Sequence, residues 1–255
     1  MEVRLNYKTK GQGKPLIILH GLFGMLDNWN SIGNQLASKY AIYLVDQRDH
    51  GRSDKSTEFD YVLLAQDLKL FCAQQGLHKV NLMGHSMGGK TAMTFADLYP
   101  EMVDKLMVID IAPKTYDGGH EYIFEAILNI PINKVSKRSE VDELLSPYIK
   151  NTGVRLFLMK NLTRKKEGGF EWKANFKLLS ESYDKIKGTP PLQESTGLNI
   201  LFIKGEKSDY ISMEDELLIK NYYPKAQIKT IPGTGHWVHA EKPNELLYSI
   251  YSFFQ

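Results

Sequence analysis

Three features of the 255-residue chain predict an α/β fold with a mostly parallel central sheet. Short apolar runs rich in β-branched residues recur without polar alternation, as strands covered on both faces require. Amphipathic helical patterns separate those runs. The alternation holds from about residue 16 to 112, resumes at about 198, and is interrupted between by a helical stretch.

In chain order, "VRLNY" (3–7) alternates as a half-buried strand does, and "GQGKP" follows as a turn. The strand runs are "LIIL" (16–19), "AIYLVD" (41–46), "VNLM" (80–83), "LMVIDI" (106–111) and "NILFI" (199–203). "NWNSIGNQLASKY" and "DYVLLAQDLKLFCAQQG" place apolar residues three and four apart, and the second stops at Gly76. "KTAMTFADLYP" and, at the end of the chain, "NELLYSIYSFF" are further helices. Between 113 and 190, "HEYIFEAILNI", "SEVDELLSPYI" and "GVRLFLMKNL" predict short amphipathic helices. The expected organisation is a core of residues 1–112 and 191–255, with 113–190 inserted as a helical cap, or lid, over the end of the sheet. The basic cluster "TRKKEGG" (163–169) reads as a solvated loop.

A formal net charge of +2 is too mild for a nucleic-acid or membrane-surface partner. The single cysteine, Cys72, excludes an internal disulfide. The opening "MEVRLNYKTKGQGKP" lacks the apolar core of a secretory leader, and no apolar stretch of membrane-spanning length occurs. The expectation is a soluble, cytoplasmic protein.

The chemistry centres on "VNLMGHSMGGKTAMT" (80–94), where a strand pattern runs into "GHSMG" and then a helix. A nucleophilic serine must project from a strand's carboxyl end, so the chain turns sharply around it. Gly84 and Gly88 remove the side chains that would collide there. Ser86 is thus the candidate nucleophile, and the helix starting near Met87 aims free N–H groups at the space above it. A hydroxyl needs a base. His20, His50 and His85 lie in glycine-flanked turns with structural readings, and His78 and His120 have uninformative surroundings. His236 in "IPGTGHWVHAEKP" follows a strand and a Gly-rich loop and precedes the last helix, which makes it the candidate base over His239. Trp237 reads as a packing residue. For the oxyanion, the Met87 amide needs a companion; "LHGLFGM" (19–25) offers Leu22 or Phe23. Two carboxylates compete as the acid behind the histidine: Asp110, at a strand's carboxyl end in "LMVIDIAP", and Asp209 in "LFIKGEKSDYIS".

"LHGLFG", "VDQRDHGRSD", "MGHSMGGKTAM", "VIDIAP" and "GHWVHAEKP", in this order, resemble the α/β-hydrolase superfamily over essentially the whole chain. The closer resemblance is to the esterase group that includes YbfF-type esterases and abhydrolase domain-containing protein 11. It implies hydrolysis of carboxylic esters or acyl thioesters by a serine triad, on a small-molecule substrate and without a cofactor or metal. It also favours Asp110 over Asp209, because in YbfF-like esterases the aspartate at this earlier strand end serves as the acid and a serine, here Ser208, holds the usual position. In "VDQRDHGRSD" (45–54), Asp46 and Arg48 are expected to pair and tie the loop, while Asp49 replaces the Asn or Gly common in relatives. Other readings of the same triad are a C–C bond hydrolase, a perhydrolase, or a slow-turnover ligand receptor on a hydrolase scaffold.

Overall fold

The computed structural model describes residues 2–193 and 197–255; positions 194–196, within the expected second core stretch, lie outside the described residues. The elements in order are β1 (Tyr7–Lys10), β2 (Lys14–Leu19), α1 (Asn30–Leu36), β3 (Tyr40–Val45), α2 (Tyr61–Gln74), β4 (Val80–His85), α3 (Met87–Leu98) and β5 (Val103–Ile109). Next come α4 (Glu121–Asn129), α5 (Arg138–Leu145), α6 (Thr152–Met159), β6 (Leu162–Arg164), β7 (Phe170–Trp172), α7 (Phe176–Glu181) and α8 (Tyr183–Lys187). The chain closes with β8 (Asn199–Gly205), α9 (Met213–Tyr222), β9 (Gln227–Ile231), α10 (Val238–Glu241) and α11 (Pro243–Phe254).

Seven strands form one sheet in the order β1-β3-β2-β4-β5-β8-β9. Only the edge strand β1 is antiparallel to its neighbour. The uninterrupted apolar runs follow from burial on both faces. In β2, Ile17 and Leu19 face the layer of α2, α3 and α9, whereas Leu16 and Ile18 face that of α1 and α11. The first alternating run is displaced: Val3 and Leu5 are buried as expected, but the strand begins only at Tyr7. Its pairing partner β3 runs to Val45 opposite Tyr7, and the preceding residues instead contact the loop after β3 through Asp46 N–H to the Asn6 carbonyl.

Residues 121–187 build a separate apolar cluster from Ile123, Phe124, Ile127, Leu158, Phe170 and Leu179, among others. Phe23, Phe59 and Met87 from the sheet-bearing part join it. The basic cluster lies largely in the turn of a two-stranded hairpin, β6–β7, with Arg164 paired to Phe170. The sequence reading contains no such hairpin; its strands have three residues each, too short for periodicity to register.

Candidate active site

Parallel strands deliver their carboxyl ends to one edge of the sheet, where ligands of open α/β sheets sit. Here those ends carry the turn after β2, Ser86 after β4, Asp110 after β5, Ser208 after β8 and His236 after β9. The ladder extends one residue past each central strand: Ser86 N–H donates to the Ile109 carbonyl at 2.9 Å, and Asp110 N–H to the Ile203 carbonyl at 2.8 Å.

Ser86 has φ 53° and ψ −121°, a conformation that L-residues avoid. Such strain persists because the surroundings leave no alternative. A Cβ on Gly84 would lie 2.1 Å from the Gly88 carbonyl oxygen, and one on Gly88 would lie 2.5 Å from that of His20. Strand, elbow and helix α3 are therefore packed backbone to backbone. Among the described residues the Ser86 hydroxyl has no hydrogen-bond partner, and neither do the N–H groups of Met87, Leu22 and Phe23. All four residues line one cavity of about 390 Å³.

His236 lines the same cavity, and its Nδ1 lies 2.8 Å from Asp110 Oδ2. Asp110 is fully buried at φ 52°, a region that Asp tolerates better than most residues. Its other contacts are acceptor bonds: Oδ1 takes the Gly205 N–H at 2.9 Å, and Oδ2 also takes the Ser208 hydroxyl. A carboxylate so supplied with donors holds a proton on Nδ1 and leaves Nε2 as the acceptor. Asp209 lines the cavity but is exposed and makes no bond to His236. The Tyr210 ring stacks on the His236 imidazole at 3.8 Å between centroids, and His85 Nε2 lies 2.8 Å from the His236 carbonyl oxygen. Burial, reinforced by His236 and His239, lowers the His85 pKa well below its usual value, so its neutral ring donates that bond. His239 is held neutral as well, lowered to about 4 by burial, and stacks on Trp29. Trp237 lines the cavity beside Phe157.

The loop after β3 corrects the expected pairing. Arg48 forms a two-pronged ion pair with Asp67 of α2, at 2.6 and 2.8 Å, rather than with Asp46. Two residues apart on a tight loop, the side chains of 46 and 48 diverge. Asp46 instead accepts the Leu26 and Arg52 N–H groups and the Asn6 amide. Asp49, at φ 62°, accepts from the Ser56 N–H and hydroxyl and from Asn175.

Lys90 and His120 line the cavity although the sequence gives neither a role there. Lys90 on α3 is almost fully buried, and its ammonium donates to the carbonyls of Lys114, Lys187 and Gly188 at 2.6–2.8 Å. Burial, with the Lys114 charge nearby, lowers its pKa to about 7. His120 Nδ1 lies 2.8 Å from the Tyr183 hydroxyl, and burial lowers its pKa too. A lysine within a helix and a histidine beside two glycines carry no local signal of either placement. Ile123, Val154, Phe157 and Leu158 supply an apolar wall from the 113–190 segment. Among the described residues no helix is long and apolar enough to cross a membrane.

A serine elbow, a carboxylate-bound histidine after the last strand and a parallel sheet presenting both define an α/β hydrolase, and the chain belongs to that family. The family model described as alpha/beta hydrolase fold matches residues 14–131. Esterase YbfF of Escherichia coli (strain K12) is 36% identical, over 95% of this chain and 94% of its own. The sn-1-specific diacylglycerol lipase ABHD11 of Mus musculus is 37% identical, over 93% of this chain and 80% of its own. A solved structure described as a marine microorganism esterase is 42% identical with a TM-score of 0.96, covering 99% of this chain and 100% of that one. The protein is a carboxylesterase-type hydrolase.

Proposed function

We propose that the protein hydrolyses carboxylic esters of apolar acyl chains through an acyl-enzyme formed on Ser86. The carrying observation is the 2.8 Å contact between His236 Nδ1 and the fully buried Asp110, on the cavity that Ser86 also lines. His236 Nε2 takes the Ser86 proton as its oxygen attacks the acyl carbonyl, and Asp110 stabilises the imidazolium. The N–H of Met87 and that of Leu22 or Phe23 receive the oxyanion. The imidazolium returns the proton to the departing alcohol. Water then gives a proton to His236 and attacks the acyl carbon; as the bond to Ser86 Oγ breaks, the imidazolium passes that proton to the serine oxygen and the acid leaves.

The segment 113–190 acts as the lid and supplies the acyl wall through Ile123, Val154, Phe157 and Leu158. An apolar wall suits a fatty acyl group, in keeping with the lipase named among the relatives. Arg164, Lys165 and Lys166 do not line the cavity, which argues against their gripping a phosphate-bearing thiol leaving group. The test is labelling by a fluorophosphonate, followed by turnover of p-nitrophenyl esters of increasing chain length and of a matched acyl thioester. The expected result is an adduct at Ser86 and multiple turnovers favouring the oxygen ester. The absence of an adduct defeats the reading, and an adduct without repeated turnover points to a receptor.

A further inference from the structure

His236 gains a proton twice in the cycle proposed above, and its neighbours differ in how they meet the resulting charge. Asp110 faces the edge of the imidazole at Nδ1. His85, His239 and His120 also come near enough for His236 to lower them, and burial, the larger cause, holds all three neutral. A neutral imidazole offers a developing imidazolium no counter-charge. Asp209 lines the same cavity but is exposed. The remaining neighbour is the Tyr210 ring, from the turn after β8, which covers a face of the imidazole.

The two ring planes lie 16° apart, with 3.8 Å between centroids. Packed carbon atoms sit about 3.5 Å apart, so the rings are offset by only about 1.5 Å. Uncharged aromatic rings prefer a larger offset or an edge-on approach. The next shortest ring pair among the described residues, His239 on Trp29, is at 4.4 Å. Near-complete overlap suits a cation over a π face, because the face is the negative part of the ring quadrupole. The ring is held there through its own backbone. Tyr210 N–H lies 3.3 Å from Ser208 Oγ, which itself donates to Asp110, and the Tyr210 carbonyl accepts the Tyr116 hydroxyl at 2.7 Å. The Tyr210 hydroxyl has no hydrogen-bond partner among the described residues, so the contact belongs to the ring. Burial and the Asp110 charge push the phenol up to about 12, and it stays uncharged. Covering one face removes water, which alone would disfavour the imidazolium. The His236 side chain keeps 20% of its surface exposed, so that cost is partial and the attraction of the π face prevails.

We propose that Tyr210 is a positioning residue whose ring face stabilises the imidazolium that forms on His236 in both acylation and deacylation. The inference rests on the serine-esterase reading above. It places part of the transition-state stabilisation in a ring of the β8–α9 turn that acts through His236.

The test replaces Tyr210 by Phe, by Leu, and by phenylalanines carrying successively more ring fluorines, up to pentafluorophenylalanine. Fluorine keeps the shape of the ring while drawing negative charge from its face. Tyr210→Phe, with its ring intact, is expected to stay within about twofold of wild type. From Phe to pentafluorophenylalanine, the plateau kcat/KM for p-nitrophenyl butyrate is expected to fall stepwise by about fivefold. The acid limb of the same pH profile reports the base of the free enzyme. It is expected to move lower by about half a pH unit or more along the series, because the protonated imidazole loses its support. Tyr210→Leu should fall at the fluorinated end. Thermal melts establish that each variant is folded; should Tyr210→Leu fail to fold, the fluorinated series carries the comparison. An acid limb that stays in place along the series, or Tyr210→Phe as impaired as Tyr210→Leu, overturns the proposal. Wild type that takes no fluorophosphonate label at Ser86 overturns the esterase reading as well; labelled wild type beside a flat fluorine series overturns this inference alone.

Discussion

The two walls of the cavity are held by different means. On the sheet side, main-chain bonds set the key residues, since Ser86 and Asp110 extend the ladder onto Ile109 and Ile203. On the side built from 113–190, placement depends mainly on side chains reaching across the boundary. Lys90 grips Lys114, Lys187 and Gly188, Asn161 grips Phe23, and the Tyr61 hydroxyl bonds the Ile186 carbonyl at 2.6 Å. Backbone placement is stiff and indifferent to most substitutions. Side-chain placement can be lost or retuned by one substitution. In the mechanism proposed above, reaction chemistry belongs to the first wall and substrate fit to the second.

The largest effect expected from breaking the sheet-side wall comes from Asp110→Asn. The amide cannot hold a proton on His236 Nδ1 while also accepting from Gly205 and Ser208, so the imidazole takes the wrong tautomer. Losing the acid costs about four orders of magnitude in kcat. Asp209→Asn, at an exposed carboxylate without a bond to His236, is expected to stay within a few-fold of wild type. Steady-state kcat of the two variants on one ester decides between them, and the reverse ranking would show that the buried contact does not support turnover.

The same contrast governs what could be read from the sequence. Ser86 and His236 are legible because each sits in a local motif whose glycines serve the turn itself. Asp110 was one of two candidates; choosing between them from spacing requires knowing which strand ends meet, and β5 and β8 are separated by the whole 113–190 segment. The Asp46–Arg48 expectation failed for a related reason. Proximity in sequence suggested a pair, whereas Arg48 reaches α2, nineteen residues on. Asn161, 138 residues from Phe23, and Lys90, 97 residues from Lys187, lie beyond any local pattern. What is encoded by turn geometry was readable; what is encoded by distant side-chain contact was not.

Lys90→Met sharpens the comparison from the other wall. The substitution keeps the apolar stem but leaves the Lys114 and Gly188 carbonyls, near the two ends of the 113–190 segment, without their donor, while the Lys187 carbonyl keeps the Tyr116 N–H. Removing a buried cation recovers its desolvation cost, so the net loss is smaller than three bonds would suggest. It is expected to be about 2 kcal/mol, set by the two acceptors left unpaired. Urea denaturation reads the total, and limited proteolysis shows where it falls. Cleavage within 113–190 should accelerate more than cleavage in the sheet. Uniform acceleration across the chain would mean that the two walls are not held separately.

Acid is expected to act in the opposite place. His20 and His50 lie side by side beneath the sheet-side turns, 5.0 Å between ring centroids, and both are buried. His20 Nε2 accepts the Gln47 N–H at 3.0 Å, so protonation there would set donor against donor. Burial lowers His20 to about 4 and, with the neighbouring His20, lowers His50 to about 3, from the 6.5 of the unfolded chain. Because both folded values are depressed, the unfolded state binds more protons below pH 6.5. Stability is therefore fully present above that pH and declines as pH falls toward 4. Each histidine contributes up to about 1.4 kcal/mol per pH unit in that window. Stability from urea denaturation between pH 7 and 4.5 should fall with contributions from His20 and His50 added to those of the other buried histidines, His85, His239 and His120, and His50→Gln should lower the slope by about one proton. Hydrogen exchange should place the early acid-induced opening in the turns after β2 and β3, ahead of the helices of 113–190. Opening first among those helices would assign the acid sensitivity to His120 and reverse the comparison.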